Sequence, residues 1–359
     1  MELEYKPDAA EAIARMDAWW HHAILDRPTI QVTAPGTRKV PIPVKHHASL
    51  RDRWMDVEYN VERSAAICAN TYWGGEQLPH IWPNLGPEVL SAALGAELVF
   101  GEDTSWSVPI LHDWADVPRL RFDPHNEYME AIVQMTHLGL ELGRGKFLVG
   151  YTDIHPGGDL AASLRDPQQL CLDCVEAPEQ VEALMAQLKP TFTQLYTLQE
   201  EILVGAGQTI ATSWLPLFAT GRYYIPSCDF SCMVSPAMFQ RLFLPEIVDE
   251  IEWLDRSIYH LDGPNALPHL DALLSIPKLD AIQFVYGAGN EPASRWMHVY
   301  RRVQKAGKNL HITVSPEEIP VFMEELEPEG VMLQTWCSTP QEAEDLIKLM
   351  SRWRPGRRR

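Results

Sequence analysis

The chain has 359 residues, 46% of them hydrophobic, which is enough for one large α/β barrel or two ordinary domains. Its net charge of -19 disfavours nucleic acid or an anionic membrane surface as the main partner, because both repel an acidic protein. Six scattered cysteines, no apolar run near the roughly 20 residues that cross a bilayer, and no signal-peptide core at the start predict a cytoplasmic protein.

The first third of the chain contains predicted helices, one strand and a long aromatic segment. Residues 9–24 have an amphipathic helical pattern, residues 28–33 favour a first strand, and residues 54–70 favour a second helix. Residues 71–125 are rich in Trp, Gly and Pro, and we interpret them as an insertion in the first connection from strand to helix. Their large aromatic side chains disfavour disorder and predict a wall of the substrate pocket. Three tryptophans are the candidates for this wall: Trp73, Trp82 and Trp106.

From residue 126 onward, helical and strand patterns alternate. The predicted helices span 126–143, 166–174, 178–205, 236–254, 292–306, 316–326 and 340–353. Eight strands are predicted, at 28–33, 147–153, 208–214, 228–234, 257–261, 279–285, 309–314 and 330–336. Several of the helices begin with a capping sequence, as in Ser315-Pro-Glu-Glu318.

Strand, polar cap and helix repeated over this length predict a single (β/α)8 barrel of the TIM type. The barrel would cover residues 28–353, after an N-terminal helical segment at 1–27 and before a basic tail at 354–359. An open, doubly wound sheet is the alternative architecture. In both, functional side chains are expected at the carboxyl ends of the strands.

The predicted strand at 257–261 is followed by side chains that bind metals. His260 and Asp262 are two residues apart, so they point to the same face of an extended strand. Cys337 follows the last predicted strand, and imidazole, carboxylate and thiolate together would form a three-ligand zinc site with an open fourth position. The alternative interpretation is an ordinary hydrogen-bonded His–Asp pair and a buried structural cysteine.

These residues resemble a motif of the uroporphyrinogen decarboxylase superfamily, and the resemblance covers nearly all of the chain. The similar branch contains corrinoid-dependent methyltransferases, which carry His-x-Cys-Gly at one strand end and a later Cys before a Thr-Pro-x-Glu helix start. The corresponding stretches here are His260-Leu-Asp262-Gly263 and Cys337-Ser-Thr-Pro-Gln-Glu342. The resemblance implies zinc bound by His260, Asp262 and Cys337, and methyl transfer between a corrinoid on a separate protein and a thiol or similar acceptor.

One departure from this branch is Asp262, which stands where the motif has its first cysteine. Aspartate also binds zinc, but a harder ligand set leaves the metal more Lewis acidic. The alternative hypothesis is therefore a metal-assisted hydrolase or lyase that acts on a small polar molecule such as a sugar. A third hypothesis is a non-catalytic accessory protein of a corrinoid pathway. A decarboxylase is not expected, because the family's Arg-rich N-terminal motif is not visible and Arg38-Lys39 is its nearest substitute.

Other side chains near strand ends are further candidates. Asp153-Ile-His-Pro-Gly-Gly158 matches a cobalamin-binding pattern, which we interpret as a coincidence because that pattern belongs to a separate type of domain. Asp153 and His155 are nevertheless predicted to line the site, and Glu291 to act as a general acid or base or as a fourth ligand. Without a metal, Asp153, His155 and Asp262 would form the catalytic site. Two residues near other strand ends complete the predicted pocket: Trp214 and Gln283.

Overall fold

A computed structural model gives the structure of residues 2–354, and residues 355–359 of the predicted basic tail lie outside the described part. The α-helices are α1 (Ala9–Trp20), α2 (Leu50–Trp54), α3 (Val57–Ala69), α4 (Val89–Ala93), α5 (Glu127–Gly143), α6 (Gly157–Arg165), α7 (Pro167–Glu176), α8 (Pro178–Leu188), α9 (Pro190–Gly205), α10 (Pro236–Met238), α11 (Leu244–Trp253), α12 (Leu270–Leu274), α13 (Met297–Lys305), α14 (Ile319–Glu325) and α15 (Pro340–Met350). The strands are β1 (Thr29–Pro35), β2 (Thr71–Gly75), β3 (His80–Ile81), β4 (Leu98–Phe100), β5 (Ser105–Ser107), β6 (Leu148–Val149), β7 (Ile210–Thr212), β8 (Phe218–Thr220), β9 (Tyr223–Tyr224), β10 (Arg256–Asp262), β11 (Ala281–Val285), β12 (Asn309–Thr313) and β13 (Val331–Trp336).

The largest sheet has seven strands in the order β2-β1-β13-β12-β11-β10-β9. Its neighbouring strands are parallel except for β2, which pairs antiparallel with β1. Three further pairs form two-stranded sheets, namely β3 with β6, β4 with β5, and β7 with β8. The prediction of an α/β fold around a mostly parallel sheet is therefore confirmed. The strand pairing of residues 2–354 does not close the seven strands into a barrel.

The parallel strands bring distant parts of the chain to one edge of the sheet. β10 lies between β9 and β11, and a bridge between Ser227 and His260 continues the β9 side of this pairing toward the end of β10. The segment after β6 joins the same region, since the Tyr224 hydroxyl accepts from Ile154 N and donates to Thr152 O. The carboxyl ends of β6, β9 and β10 consequently position the loops that carry the candidate site.

The predicted strand at 228–234 is wrong. The strand in this region is β9, and Asp229–Met233 form a 3-10 helix instead. The carboxylate of Asp159 accepts hydrogen bonds from the backbone N–H groups of Asp229 and Phe230, at 3.0 and 2.8 Å. These bonds satisfy the first amides of a helical turn. A side chain 70 residues away in sequence therefore stabilises a helical turn here instead of the predicted strand.

The predicted helix and strand boundaries differ most from the observed ones near proline residues and in short elements. The single helix predicted at 178–205 is divided into α8 and α9, because Pro190 starts a new helix at its first position. Helix α6 was not predicted, although it carries Asp159. Residues 71–125, predicted as an irregular insertion, contain four short strands and α4, and strands of two to five residues are too short to show a clear alternation.

The leading helix α1 is attached to the sheet by buried polar contacts. Nε1 of Trp20 donates a hydrogen bond to the carbonyl oxygen of Phe218 at 2.9 Å, and Nδ2 of Asn309 donates to the carbonyl oxygen of Trp19 at 2.8 Å. Both tryptophans are buried in the main hydrophobic core. Among the described residues, no helix combines the length and the apolar character that crossing a bilayer requires.

Helix α11 carries two glutamates on its buried face. Glu246 and Glu250 are one turn apart, and both are almost completely buried. Burial and the charge of Asp159 raise the pKa of Glu246 to about 7. Burial and the charge of Glu246 raise the pKa of Glu250 well above its usual range. The folded protein therefore holds protons here that the unfolded chain releases at lower pH.

This proton uptake predicts a pH-dependent stability. Between pH 4.5 and about 7 the unfolded chain ionises Glu246 before the folded protein does, so the free energy of unfolding should fall as the pH rises. Glu246→Gln should remove this cost and stabilise the protein at about pH 8, relative to about pH 5, by on the order of 1–3 kcal/mol. Thermal unfolding of both proteins at the two pH values measures the effect. The prediction would be contradicted if the wild type and Glu246→Gln differed in stability by the same amount at both pH values.

Candidate metal centre and acid–base site

Asp229 is the centre of the candidate site, because it belongs to two groups of side chains that are arranged to hold a metal ion. One group is His155, Asp159 and Asp229, and the other is Asp229, His260 and Asp262. Within each group the ligand atoms lie within 4.8 Å of one another. The five side chains come from the end of β10 and from segments that follow β6 and β9, where parallel sheets usually carry their sites.

His155 lies between two carboxylates. Its Nε2 is 3.1 Å from Oδ1 of Asp153, and its Nδ1 is 3.7 Å from Oδ2 of Asp159. Burial opposes a charge on the ring, but the two carboxylates outweigh it and raise the pKa of His155 well above its usual value. These surroundings favour the protonated ring, an imidazolium that can donate a proton.

Asp159 holds Asp229 in position. In addition to the two backbone N–H groups of the 3-10 turn, its Oδ2 accepts a hydrogen bond from the hydroxyl of Ser227 at 3.4 Å. Burial raises the pKa of Asp159, but the hydrogen bond and charge of His155, together with the turn amides, lower it below its usual range. Asp159 is thus an ionised anchor for the turn that presents Asp229.

Two glycines allow helix α6 to approach its neighbours closely. Gly157 has a φ of +61°, and a Cβ at this position would lie 2.0 Å from Oε2 of Glu246. A Cβ on Gly158 would lie 2.6 Å from Sγ of Cys228. Side chains at these positions would push α6 away from α11 and from the turn after Cys228, and Asp159 would move with the helix.

Asp229 presents a carboxylate oxygen that no other group uses. Among residues 2–354, its Oδ1 is buried and has no hydrogen-bond partner. This oxygen is 4.0 Å from Nε2 of His260. Burial and the charge of Asp159 raise the pKa of Asp229 to about 6. A cation between the oxygen and the imidazole would satisfy both groups, so the residues present fit a bound metal ion.

Gln283 determines the orientation of His260. The two residues are register partners on β10 and β11, and Nδ1 of His260 donates a hydrogen bond to Oε1 of Gln283 at 2.7 Å. Because an amide oxygen can only accept, the neutral ring carries its proton on Nδ1 and keeps the Nε2 lone pair for another partner. Trp214 contacts the ring edge-to-face, with centroids 5.3 Å apart. A hydrogen bond behind the free nitrogen is typical of histidines that bind metals.

The structure places several of the residues predicted from sequence in this one region. The group consists of Asp153, His155, Trp214, His260, Asp262 and Gln283. The two residues that connect them, Asp159 and Asp229, were not predicted. Asp159 had a usable signal, since it is an acidic residue only four positions after His155. Asp229 had little sequence signal, because residues 228–234 have the pattern of a strand.

Cys337 does not complete the predicted zinc site. The set of His260, Asp262 and Cys337 is not among the groups of described residues whose ligand atoms lie within 4.8 Å of one another. In the seven-stranded sheet, β11 and β12 lie between β10 and β13. The thiol is also buried, and burial and the charges of Glu342 and Glu317 raise the pKa of Cys337.

The remaining predicted residues lie in other surroundings. Glu291 is exposed, and its Oε1 accepts a hydrogen bond from the backbone N–H of Gly289 at 3.2 Å. Trp73 and Trp82 flank the ring of His80, with centroids 6.1 and 5.9 Å away, and they line separate cavities of about 630 and 350 Å³. Trp106, the third tryptophan of the predicted wall, lies on β5 and is half exposed. The three therefore do not form one wall.

The site combines two chemical abilities in neighbouring side chains. An imidazole lone pair and carboxylate oxygens can bind a cation at Asp229, His260 and Asp262. An imidazolium held between Asp153 and Asp159 can donate a proton. Comparison of the chain with known protein families and with curated proteins finds no match.

Proposed function

We propose that the protein is a metal-assisted hydrolase or lyase for a small polar substrate, and that Asp229, His260 and Asp262 hold one divalent metal ion. The observation that carries this proposal is the Nε2 lone pair of His260, which lies 4.0 Å from the buried Oδ1 of Asp229, an oxygen with no partner among the described residues. In a tetrahedral site, metal–ligand bonds of about 2.0–2.2 Å hold two ligand atoms about 3.3–3.6 Å apart, so a shift of about half an ångström would bring both groups onto one ion.

The metal ion is assigned to this group and not to the group around His155 because the two rings have different hydrogen-bond surroundings. A histidine ligand must be neutral, and metal binding has to displace any proton on the ligating nitrogen. Both ring nitrogens of His155 face carboxylates that favour the imidazolium, whereas His260 has one nitrogen hydrogen-bonded to Gln283 and one free. His155 is therefore proposed as the general acid.

The roles of the residues follow from this assignment. When bound, the metal ion would act as a Lewis acid on an oxygen atom of the substrate. His155 would donate a proton to the leaving group, and Asp153 would stabilise the imidazolium before the transfer. Asp159 would keep Asp229 in place. Nitrogen and oxygen ligands without a thiolate suit zinc and also manganese, and they leave the metal more Lewis acidic than a thiolate-rich set would.

The substrate class is inferred from the surface around the ring of His260. Trp214 offers a flat apolar surface next to the imidazole, while Asp262 at the end of β10 is exposed. A molecule that fits both has one apolar face and several hydroxyl or carbonyl oxygens, as a sugar does. A small-molecule substrate of this kind is consistent with the negative charge of the chain, which disfavours polyanions.

The (β/α)8 architecture predicted from sequence is proposed as the frame of this site. One backbone hydrogen bond supports it, from Tyr151 N to Thr212 O at 2.8 Å. This bond joins the segment after β6 to β7 and so links two of the short strand pairs, β3 with β6 and β7 with β8. A barrel would also agree with the resemblance to the uroporphyrinogen decarboxylase superfamily, whose sites lie at the carboxyl ends of the strands.

Zinc-dependent methyl transfer between a corrinoid on a separate protein and a thiol is the second candidate function. The stretch His260-Leu-Asp262-Gly263 favours it through the resemblance. It ranks second because the thiolate ligand expected from Cys337 is not placed with the other two.

Cys337→Ser distinguishes the two candidates. We expect the variant to bind zinc with an affinity within about twofold of the wild type, because surface or remote changes seldom alter a binding energy by more than a few tenths of a kcal/mol. Isothermal titration calorimetry with zinc measures the affinity. A tenfold or larger loss of zinc affinity, which corresponds to about 1.4 kcal/mol or more, would instead place the thiol in the metal site and favour methyl transfer.

The proposed function is tested by activity of metal-free and reconstituted protein. The protein is stripped with a chelator, reloaded with zinc or manganese, and assayed against chromogenic glycosides, esters and phosphate esters, sugar acids that undergo elimination, and methylcobalamin with a thiol. Metal-dependent hydrolysis or elimination supports the proposal. Metal-dependent demethylation of methylcobalamin without either activity would overturn it in favour of the second candidate.

A further inference from the structure

A further cavity is lined by residues of helices α8, α9 and α11. Its volume is about 370 Å³, and Ala186, Pro190 and Phe192 give it an apolar side. Glu246 and Glu250 of α11 line the opposite side. Lys189 and Asp249, which are both exposed, form an ion pair at 2.6 Å among its lining residues. The cavity thus has an apolar wall opposite two carboxyl groups.

One carboxyl group in this cavity, that of Glu250, has no hydrogen-bond donor among the described residues. Glu250 is 5% exposed, and among residues 2–354 no donor reaches either of its side-chain oxygens. Burial and the charge of the neighbouring Glu246 raise the pKa of Glu250 well above its usual range, which favours a proton on this pair. Two buried acids one helical turn apart destabilise the fold unless something compensates their charge. No role in the site around Asp229 requires this pair.

We propose that this cavity binds an organic ammonium ion, with the cationic nitrogen between Glu246 and Glu250 and the hydrocarbon part against Phe192. A primary ammonium group has three N–H donors, which is enough to reach both carboxylates. A volume of about 370 Å³ accommodates a short alkyl chain behind the nitrogen. The proposal is independent of the function proposed for the Asp229 site.

An organic cation fits this cavity better than a bare metal ion. The groups of described residues that bring three metal-binding side chains within 4.8 Å include neither Glu246 nor Glu250. Metal ions prefer to keep several oxygen ligands or water molecules, and an apolar wall supplies none. An alkyl group, in contrast, gains from burial against Phe192 and Pro190.

Binding has a defined charge balance. Before binding, the raised pKa values of Glu246 and Glu250 favour one shared proton near neutral pH, so that the pair carries one negative charge. The ammonium ion brings one positive charge and keeps its own three protons. The shared proton leaves to the solvent, and both carboxylates then accept hydrogen bonds from the ligand. Binding should therefore release about one proton per ammonium ion near neutral pH.

The test is a titration of the full-length protein with n-butylammonium at about pH 7.5 by isothermal calorimetry. Running it in two buffers of different ionisation enthalpy measures the protons released. Neutral n-butanol has the same chain and is the control ligand. Glu250→Gln and Glu246→Gln retain the shape of the pair and should fold, since each removes a buried charge. Glu252→Gln, an exposed position on the same helix, is the matched control variant.

We expect butylammonium to bind at least about tenfold more tightly than butanol, with proton release, because charge-assisted hydrogen bonds contribute more than neutral contacts. Glu250→Gln and Glu246→Gln should each weaken the binding of butylammonium about tenfold or more, and Glu252→Gln should leave it unchanged. The proposal is overturned if butylammonium does not bind, if butanol binds equally well, or if the two cavity variants bind like the wild type.

Discussion

Asp229→Asn should lower the affinity for zinc by more than about 100-fold. Loss of a residue that only hydrogen-bonds to a metal ligand already lowers metal affinity about 10–100-fold, and loss of a direct ligand should lower it more. Asp229 contributes the buried oxygen that faces His260 and is shared by both candidate groups. The amide of asparagine keeps an oxygen of similar shape but removes the negative charge that attracts a divalent ion. The fold should persist, because the bonds from the turn to Asp159 use the backbone of Asp229 and not its side chain.

The measurement for this variant is a zinc titration of chelator-stripped protein, with thermal unfolding as the check of folding. Asp271→Asn is the matched control, since Asp271 is an exposed carboxylate that pairs with Arg302 on the surface. The control should bind zinc like the wild type. If Asp229→Asn binds zinc as tightly as the control, the metal site has been placed wrongly.

His155→Gln should reduce kcat by about 10²–10⁴-fold while zinc affinity changes little, since removal of a general acid has effects of this size. The proposed role of His155 is to donate a proton from an imidazolium that Asp153 and Asp159 stabilise. Glutamine can occupy similar space and form hydrogen bonds to both carboxylates, but it cannot transfer a proton at neutral pH. The variant therefore separates proton donation from metal binding.

The assay for this variant uses the most active substrate of the panel, and zinc affinity is measured on the same preparation. His298→Gln, an exposed histidine on α13, serves as the control. An equal loss of zinc affinity in His155→Gln and Asp229→Asn would move the metal ion to the group of His155, Asp159 and Asp229. Unchanged turnover would remove His155 from the mechanism.

The local part of the site could be predicted because it depends on the strand period alone. His260 and Asp262 are two residues apart at the end of a buried strand, and the structure has them on β10 as predicted. Asp153 and His155 were also predicted at the end of a strand, although only Leu148–Val149 of that strand pair with a neighbour. In these stretches, sequence neighbours are the residues that act together.

The remaining part of the site depends on contacts between distant segments. Asp229 takes its position from Asp159, and nothing in residues 228–234 indicates that their amides will be capped from another helix. The choice of Cys337 as a ligand assumed that two strand ends on one edge of a sheet are close to each other. In the seven-stranded sheet, two strands separate β10 from β13. A motif transferred by resemblance carries no information on such a separation.

The most direct test of the central claim is a crystal structure of the zinc-soaked protein with anomalous diffraction data collected at the zinc edge. The account predicts an anomalous peak about 2.0–2.2 Å from Nε2 of His260 and from carboxylate oxygens of Asp229 and Asp262. A peak bonded to Cys337, or a peak between His155 and Asp159 only, would contradict the proposed ligand set. Crystals with no peak near Asp229 at saturating zinc would contradict the metal site itself.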